Sequence, residues 1–222
     1  MTVGFELQGP RLPPASGGRA EQLVVLLHGL GASGDDLIAL APQWAALLPR
    51  AAFVAPHAPY PFDMAPFGYQ WFSLRDMSPE MLLTGVQAAA PILDGFLDAE
   101  LARHDLQDAR LALVGFSQGT MMALHVALRR ARPCAAVVGY SGMLVAAERL
   151  VAEIRARPPV LLVHGEADEV MPPAMLPAAE AGLAAAGVGV DCHRRPGLGH
   201  GIDAEGLGLG GAHLARAFAA GA

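Results

Sequence analysis

A short motif in the middle of the chain has the residue types needed for nucleophilic chemistry. Residues 115–119 read Gly-Phe-Ser-Gln-Gly; they follow an apolar run at 111–114 and precede a run at 120–124 that begins like a helix. A Gly-x-Ser-x-Gly sequence between a strand and a helix is typical of the nucleophile elbow of serine hydrolases, in which a tight, strained turn lifts the serine hydroxyl out of the sheet. The pattern predicts Ser117 as the nucleophile of a covalent mechanism.

A serine hydroxyl needs a general base, and the base needs an acid that orients it. Where the serine stands on such an elbow, the acid follows a later strand and the histidine lies in a loop after the last strand. Asp168 follows the apolar run at 160–163, and His200 stands in a glycine-rich loop after the last strand-like segment. Glu166 and Glu169 are rival acids, which we expect to be solvated turn charges. We therefore predict that Asp168 and His200 act together on Ser117.

Acyl transfer also needs backbone N–H groups that stabilise the oxyanion, each worth about 3–4 kcal/mol. The residue after the nucleophile, Gln118, stands at the start of a helix and is expected to supply one N–H group. The His-Gly-Leu-Gly sequence at residues 28–31 ends an apolar strand, and its glycines permit the turn that would supply the second. We expect these two segments to meet beside Ser117.

The composition excludes several other chemistries. The chain has no lysine and no asparagine, so neither a Ser-Lys dyad nor a Schiff-base lysine is available and a histidine must activate the serine. No pair of His or Cys residues has the spacing of metal ligands, and we expect neither a metal nor a cofactor. The cysteines Cys134 and Cys192 are predicted to be free thiols.

Strand-like and helix-like segments alternate along the chain in the manner of βαβ units. The strands are mostly continuous apolar runs, as expected for a parallel sheet that helices cover on both faces. Strands are predicted at residues 22–28, 52–55, 110–115, 135–139, 160–163 and 188–194, with a further edge strand at 2–7. Helices are predicted at residues 34–48, 79–103 (with a kink at Pro91), 118–131, 173–186 and 204–220, separated by a loop at 56–78 and a looser segment at 141–157.

Length and charge limit the class of protein. The 222 residues suit one α/β domain, predicted to span residues 1–222. The net charge is −6 and basic runs are short, so nucleic-acid binding is not expected. No apolar run approaches the ~20 residues of a membrane span, and the first residues lack the pattern of a secretory signal. We expect a cytoplasmic protein.

The motifs together resemble the phospholipase/carboxylesterase family of α/β-hydrolases, which includes acyl-protein thioesterases. The resemblance is carried by residues 27–31 (Leu-His-Gly-Leu-Gly), 56–59 (Pro-His-Ala-Pro), 70–72 (Gln-Trp-Phe), 115–119, 164–168 (His-Gly-Glu-Ala-Asp) and 199–201 (Gly-His-Gly). It implies an α/β-hydrolase fold without a cap domain and a triad of Ser117, Asp168 and His200. It also implies an oxyanion hole from the N–H groups of Leu30 and Gln118.

The resemblance also bears on the substrate. It implies that Trp71, Phe72 and the loop around them border the acyl groove. The chain departs from the family at Thr120, where many members have a smaller residue, and the apolar loop at 60–70 is more similar to bacterial carboxylesterases than to eukaryotic thioesterases.

The expected function is hydrolysis of small to medium carboxylic esters through an acyl-enzyme. A thioesterase or lysophospholipase is the alternative, and a non-catalytic binding module with the same fold is a more remote one. The short span between Ser117 and Asp168 leaves no room for a cap, which predicts an open site lined by residues 60–77 and by 141–147, including Met143. The apolar stretch 60–72 would suit a substrate groove or a homodimer contact, and the sequence leaves both open.

Overall fold

The computed structural model describes residues 7–220. Its main feature is a seven-stranded sheet in the spatial order β1-β3-β2-β6-β7-β8-β9, in which every strand is parallel to its neighbours except the short edge strand β1. The strands of this sheet are β1 (Arg11–Leu12), β2 (Gln22–Leu27), β3 (Ala51–Val54), β6 (Leu111–Phe116), β7 (Ala136–Tyr140), β8 (Val160–Gly165) and β9 (Val190–Arg195). A separate two-stranded hairpin consists of β4 (Tyr60–Pro61) and β5 (Tyr69–Gln70).

Helices cover both faces of the sheet, as the sequence predicts. They are α1 (Gly34–Ile38), α2 (Ala41–Ala45), α3 (Pro79–His104), α4 (Gln118–Ala127), α5 (Ala147–Glu153), α6 (Met175–Ala185) and α7 (Ala204–Ala220). Alternate residues of β2 belong to two different apolar clusters: Leu23 lies in the cluster with α3 to α6, and Val24 in the one with α1, α2 and α7. Because both faces are buried, the strands read as continuous apolar runs.

Several predicted elements differ from those observed. The helix expected at 34–48 is two short helices, because Pro42 has no N–H to donate to the preceding turn. The segment at 141–157 contains α5, and the loop at 56–78 contains the β4–β5 hairpin. Helix α3 continues through Pro91. Of the edge strand expected at 2–7, residues 2–6 lie outside the described part and residue 7 is not in a strand; the edge strand is β1.

The parallel order brings the carboxyl ends of six strands to one edge of the sheet. The segments that follow β2, β6, β8 and β9 all leave the sheet at this edge, and α4 begins directly after β6. In open α/β sheets ligands bind outside this edge. The topology therefore makes the loops after these strands the candidate site. None of the helices within residues 7–220 is both long and apolar enough to cross a membrane.

A buried ionic cluster joins the end of α4 to α3 and to the turn before β6. Arg130 is 7% exposed and bonds Asp94, Asp98 and Asp108; its Nη2 lies 2.7 Å from an oxygen of Asp98, and its Nε lies 2.9 Å from Oδ1 of Asp108. The exposed Arg132 donates to Oδ2 of Asp108 at 2.8 Å. Burial alone would raise the pKa of Asp108, but the hydrogen bonds from Arg132 and Arg130 lower it.

Replacing Arg130 with methionine is expected to lower the free energy of unfolding by about 3–5 kcal/mol, because Asp108 would keep a buried charge without its enclosed partner. Arg132→Met is the control and should cost under about 1 kcal/mol, since that arginine is exposed. Urea unfolding at neutral pH measures both. The Asp108 contribution is present above about pH 4 and is lost as pH falls through the lowered folded pKa. Equal losses in the two variants would contradict a special role for Arg130.

Candidate active site

Ser117 alone connects β6 to α4. Its φ of 53° and ψ of −116° lie in a region that side-chain-bearing residues seldom adopt, which costs about 1–3 kcal/mol and persists only where the surroundings hold it. Its N–H donates to the carbonyl of Tyr140 at 2.9 Å, and its carbonyl accepts from the N–H of Thr120 at 3.0 Å. The backbone at this residue is therefore fixed from both the neighbouring strand and the helix.

The two glycines of the motif allow this tight turn. A Cβ added at Gly115 would lie 2.4 Å from the carbonyl oxygen of Gly119, and one added at Gly119 would lie 1.8 Å from the carbonyl oxygen of Leu27. Real Cβ atoms do not come so close to backbone, so neither position tolerates a side chain without a shift. The motif glycines are thus required by close packing between β6, α4 and the end of β2.

Asp168 and His200 form a hydrogen-bonded pair at the carboxyl edge of the sheet. Nδ1 of His200 lies 2.8 Å from Oδ2 of Asp168. The other carboxylate oxygen, Oδ1, accepts from the N–H groups of Val170 at 3.0 Å and Met171 at 2.8 Å. Burial raises the pKa of Asp168, but the N–H of Met171 and the His200 imidazole outweigh it and lower that pKa. A charged carboxylate accepting from Nδ1–H leaves Nε2 of His200 free to act as a base.

The rival acids do not share this environment. Glu166 and Glu169 are both exposed, as expected of turn charges, whereas Asp168 is buried.

The imidazole of His200 lies beside the nucleophile elbow. Its ring centroid is 4.8 Å from that of Phe116, the residue before Ser117, and the two rings are tilted by 49°. The loop after β9 thus brings the histidine to the edge where β6 ends. The hydrogen-bonded pair of Asp168 and His200 therefore lies next to the turn that carries Ser117.

A second imidazole contacts the same carboxylate. Nε2 of His164, at the end of β8, lies 3.5 Å from Oδ2 of Asp168 and 2.9 Å from the carbonyl oxygen of Met171. Because that carbonyl can only accept, Nε2 of His164 carries the hydrogen. The sequence analysis gave His164 no role, although the His-Gly-Glu-Ala-Asp sequence at residues 164–168 places it in the same turn as Asp168. Its imidazole contacts both the carboxylate of Asp168 and the backbone of Met171, and so helps to hold this turn.

Two backbone N–H groups are available for an oxyanion. The loop after β2 packs directly on the elbow, since a Cβ added at Gly29 would lie 3.3 Å from Cβ of Ser117. Within residues 7–220, neither the N–H of Leu30 nor that of Gln118 donates to a protein acceptor. Gly31 follows with a φ of 75° and turns the loop back. The arrangement leaves two unpaired donors beside Ser117.

The side chain of Gln118 fixes the segment that carries Trp71 and Phe72. Its Oε1 accepts from the N–H of Trp71 at 2.9 Å, and its Nε2 donates to the carbonyl of Phe72 at 2.7 Å. These aromatic side chains, expected to border an acyl groove, are 0% and 5% exposed. The indole Nε1 of Trp71 donates to the carbonyl of His28 at 3.0 Å. The Trp71 ring therefore supports the loop after β2 from the core side.

His28 holds the same loop from its other end. Its Nε2 accepts from the N–H of Ala58 at 2.9 Å, so the hydrogen is on Nδ1, which donates to the carbonyl of Gly29 at 2.7 Å. Burial lowers the pKa of His28, which favours this neutral ring. The carbonyl of Gly29 belongs to the peptide unit whose N–H is that of Leu30. The imidazole therefore orients the proposed oxyanion donor.

Apolar side chains occur in the two segments that were predicted to line the site. Met143, predicted to line the substrate site, is half-buried in the loop between β7 and α5. In the segment 60–77, Met64 and Met77 are exposed, and Phe67 at the tip of the β4–β5 hairpin is 74% exposed. Exposed apolar residues in these segments would suit an apolar substrate chain.

The hairpin is hydrogen-bonded directly to the loop after β2. The N–H of Gly31 donates to the carbonyl of Tyr69 at 2.9 Å, and the N–H of Tyr69 donates to the carbonyl of Ala32 at 2.9 Å. Gly68 has a φ of 83°, and a Cβ there would lie 2.1 Å from the carbonyl oxygen of Gly31. The hairpin and the loop after β2 are thus in backbone contact.

Replacing Gly68 with alanine is expected to lower kcat/KM by about 10–100-fold, because the methyl group would push the loop carrying Leu30 away from Ser117. Gly17→Ala is the matched control: Gly17 also has a positive φ, 71°, but nothing lies within 4 Å of its added Cβ. Both variants should lose about 1 kcal/mol of stability from backbone strain, measured by thermal unfolding. Equal activity in the two would show that the hairpin contact does not set the oxyanion geometry.

The sheet, the elbow and the converging loops define an α/β-hydrolase. A sequence profile described as Phospholipase/Carboxylesterase matches residues 14–216, and the chain belongs to that family. The chain is similar to Acyl-protein thioesterase 1 of Schizosaccharomyces pombe (30% identity; 82% of this chain, 84% of the relative) and to Esterase YpfH of Escherichia coli (27%; 95% and 86%). The crystal structure of esterase PE8 superposes with a TM-score of 0.91 at 44% identity, covering 95% of this chain and 99% of that one.

Proposed function

We propose that the protein is a serine carboxylesterase that hydrolyses esters of small to medium carboxylic acids. The observation that carries the proposal is the hydrogen bond between Asp168 and His200 beside a strained Ser117. The resemblance to esterase PE8 supports an oxygen ester as the substrate.

In the proposed first step, Nε2 of His200 takes the proton of Ser117 Oγ as that oxygen attacks the ester carbonyl. The negative charge that develops on the carbonyl oxygen is stabilised by the N–H groups of Leu30 and Gln118. Asp168 holds the imidazole in the tautomer with its hydrogen on Nδ1 and stabilises the imidazolium. The intermediate collapses as His200 gives the proton to the leaving alcohol, which leaves an acyl group on Ser117.

In the second step a water molecule replaces the alcohol. His200 takes a proton from the water as it attacks the acyl carbonyl, and the same two N–H groups stabilise the second oxyanion. Collapse releases the carboxylic acid and returns the proton from His200 to Ser117 Oγ. The cycle leaves the protein unchanged.

An acyl-length series tests the substrate. We expect kcat/KM on p-nitrophenyl esters to be highest for small to medium acyl chains and to fall for long chains. Matched thioesters of the same acyl groups test the alternative, thioesterase or lysophospholipase action, which is favoured by the exposed Met64 and Phe67 and by the similarity to Acyl-protein thioesterase 1. A preference for long-chain thioesters would overturn the carboxylesterase assignment in favour of the alternative.

Labelling by a fluorophosphonate tests whether the protein is an enzyme at all. We expect one phosphonyl group per chain, located on Ser117 by mass spectrometry of the digested protein. A folded protein whose Ser117 stays unmodified would instead indicate a non-catalytic binding module on the hydrolase fold.

A further inference from the structure

A second cleft lies on the helical side of the molecule, between α3, the end of α4 and the segment after α5. Its volume is about 470 Å³, within the range of small-molecule sites. It contains none of the residues of the proposed triad or oxyanion hole. We call it the α3–α5 cleft; it is lined by Gln87, Ala90, Pro91, Asp94, His125, Val126, Arg129, Arg130, Glu153 and Arg155.

His125 is the most unusual residue of this cleft. It is 5% exposed, and its Nδ1 is buried without a hydrogen-bond partner in the described part of the chain. Burial, with the neighbouring Arg129, lowers the pKa of His125 to about 4, so the ring is neutral at pH 7. Buried polar atoms of folded proteins nearly always have a hydrogen-bond partner. An unpartnered buried atom such as Nδ1 of His125 therefore indicates that a partner is missing.

One of the three arginines that line the α3–α5 cleft has no acidic partner within the described residues. Arg129 bonds Glu153 through Nε at 3.0 Å and Nη2 at 2.7 Å, and Arg130 pairs with Asp94. Arg155 is exposed and has no carboxylate partner among residues 7–220. The cleft is thus lined by three arginines and two acidic residues, and the extra positive charge is that of Arg155.

Apart from Gln87, the uncharged residues that line the cleft beside His125 are apolar. Ala90 and Pro91 come from α3, and Val126 comes from α4. The proline ring cannot change its backbone angle, and it stands in the interior of a continuous helix. A ligand that fits this lining has an apolar body and one negative charge.

We propose that the α3–α5 cleft binds a small carboxylic acid, whose carboxylate pairs with Arg155 and whose apolar body packs on Pro91 and Val126. The neutral imidazole of His125 has one N–H group. After rotation of the ring, this group can donate a hydrogen bond to the second carboxylate oxygen of the ligand. This site is separate from the ester site and does not depend on the proposed function.

Hexanoate is a suitable probe, and side-chain NMR of the histidines at pH 7 is the measurement. We expect the resonances of His125, assigned by their loss in His125→Gln, to shift to saturation as hexanoate is added. Arg155→Gln should weaken binding about fivefold, the effect of losing one exposed ion pair. Arg50→Gln is the matched control, because Arg50 is exposed and pairs with Glu21 away from the cleft; its binding should equal that of the unchanged protein.

Two further arms test the shape and the charge of the ligand. Ala90→Leu fills the cleft with a good helix-forming residue, so it should abolish the shift at His125 while thermal unfolding shows a folded protein. 1-Hexanol has the same apolar body without the charge and should bind several-fold more weakly than hexanoate. Shifts confined to His200, equal affinity in Arg155→Gln, or equal affinity for hexanol would overturn the proposal.

Discussion

Replacing Ser117 with alanine is expected to lower kcat by about 10⁶-fold, because the covalent route is then lost and only binding and oxyanion stabilisation remain. The substitution keeps the backbone between β6 and α4, and the loss should appear in kcat with little change in KM. Steady-state hydrolysis of a chromogenic ester measures it, after removal of any contaminating esterase by fluorophosphonate treatment, which the variant itself should resist.

Ser141→Ala provides a control of the same chemical change. Ser141 also has a positive φ, 46°, and its buried Oγ has no hydrogen-bond partner within residues 7–220. Removing an unpartnered buried hydroxyl is close to neutral or stabilising, so this variant should keep its activity. Residual activity of a few per cent in Ser117→Ala that survives the inhibitor treatment would contradict Ser117 as the nucleophile.

Replacing Asp168 with asparagine is expected to lower kcat by about 10⁴-fold through the wrong imidazole tautomer. The N–H groups of Val170 and Met171 both donate to Oδ1, so the amide oxygen should remain there. The amide NH₂ group then faces Nδ1 of His200, which must become an acceptor. The ring hydrogen moves to Nε2, and the base that Ser117 needs is gone.

The control for this substitution uses the neighbouring acids, which are exposed. Glu166→Gln and Glu169→Gln remove a negative charge from the same turn and should leave kcat within about twofold, since exposed charges interact weakly. The lowered pKa of Asp168 means that its charged form stabilises the fold above the unfolded value of about 4, and this stability is lost as pH falls through the folded pKa. The stability difference between Asp168→Asn and the unchanged protein should shrink over that range. Equal kcat losses in all three variants would contradict the role of Asp168.

The sequence was most informative about features that depend on local pattern and on the order of residues along the chain. The apolar runs predicted the parallel strands, because a sheet buried on both faces demands continuous hydrophobic segments. The glycines around Ser117 indicated the tight turn, and the order of serine, acid and histidine led to residues that the fold brings to one edge. The helix expected at 34–48 is divided at Pro42, a residue whose missing N–H is a signal present in the sequence itself.

Other features depend on contacts between distant segments and left no local signal. The β4–β5 hairpin has two residues in each strand and is held by hydrogen bonds to the loop after β2. The side chain of Gln118 occupies both of its polar atoms with the backbone of Trp71 and Phe72, which no spacing predicts. Trp71 was expected at a groove from its family position, yet its ring lies in the core. These placements follow from tertiary hydrogen bonding and not from propensity.

The backbone contact between Gly68 and Gly31 has a consequence for attempts to engineer this protein. A library that varies the tip of the hairpin to admit bulkier acids would also shift the peptide unit of Leu30, whose N–H group is proposed to stabilise the oxyanion. Selectivity and turnover should then change together, and variants with a new preference should be slow until a compensating substitution restores the spacing. Diversity placed at Met143, in the loop between β7 and α5, offers a route to altered selectivity that does not alter this backbone contact.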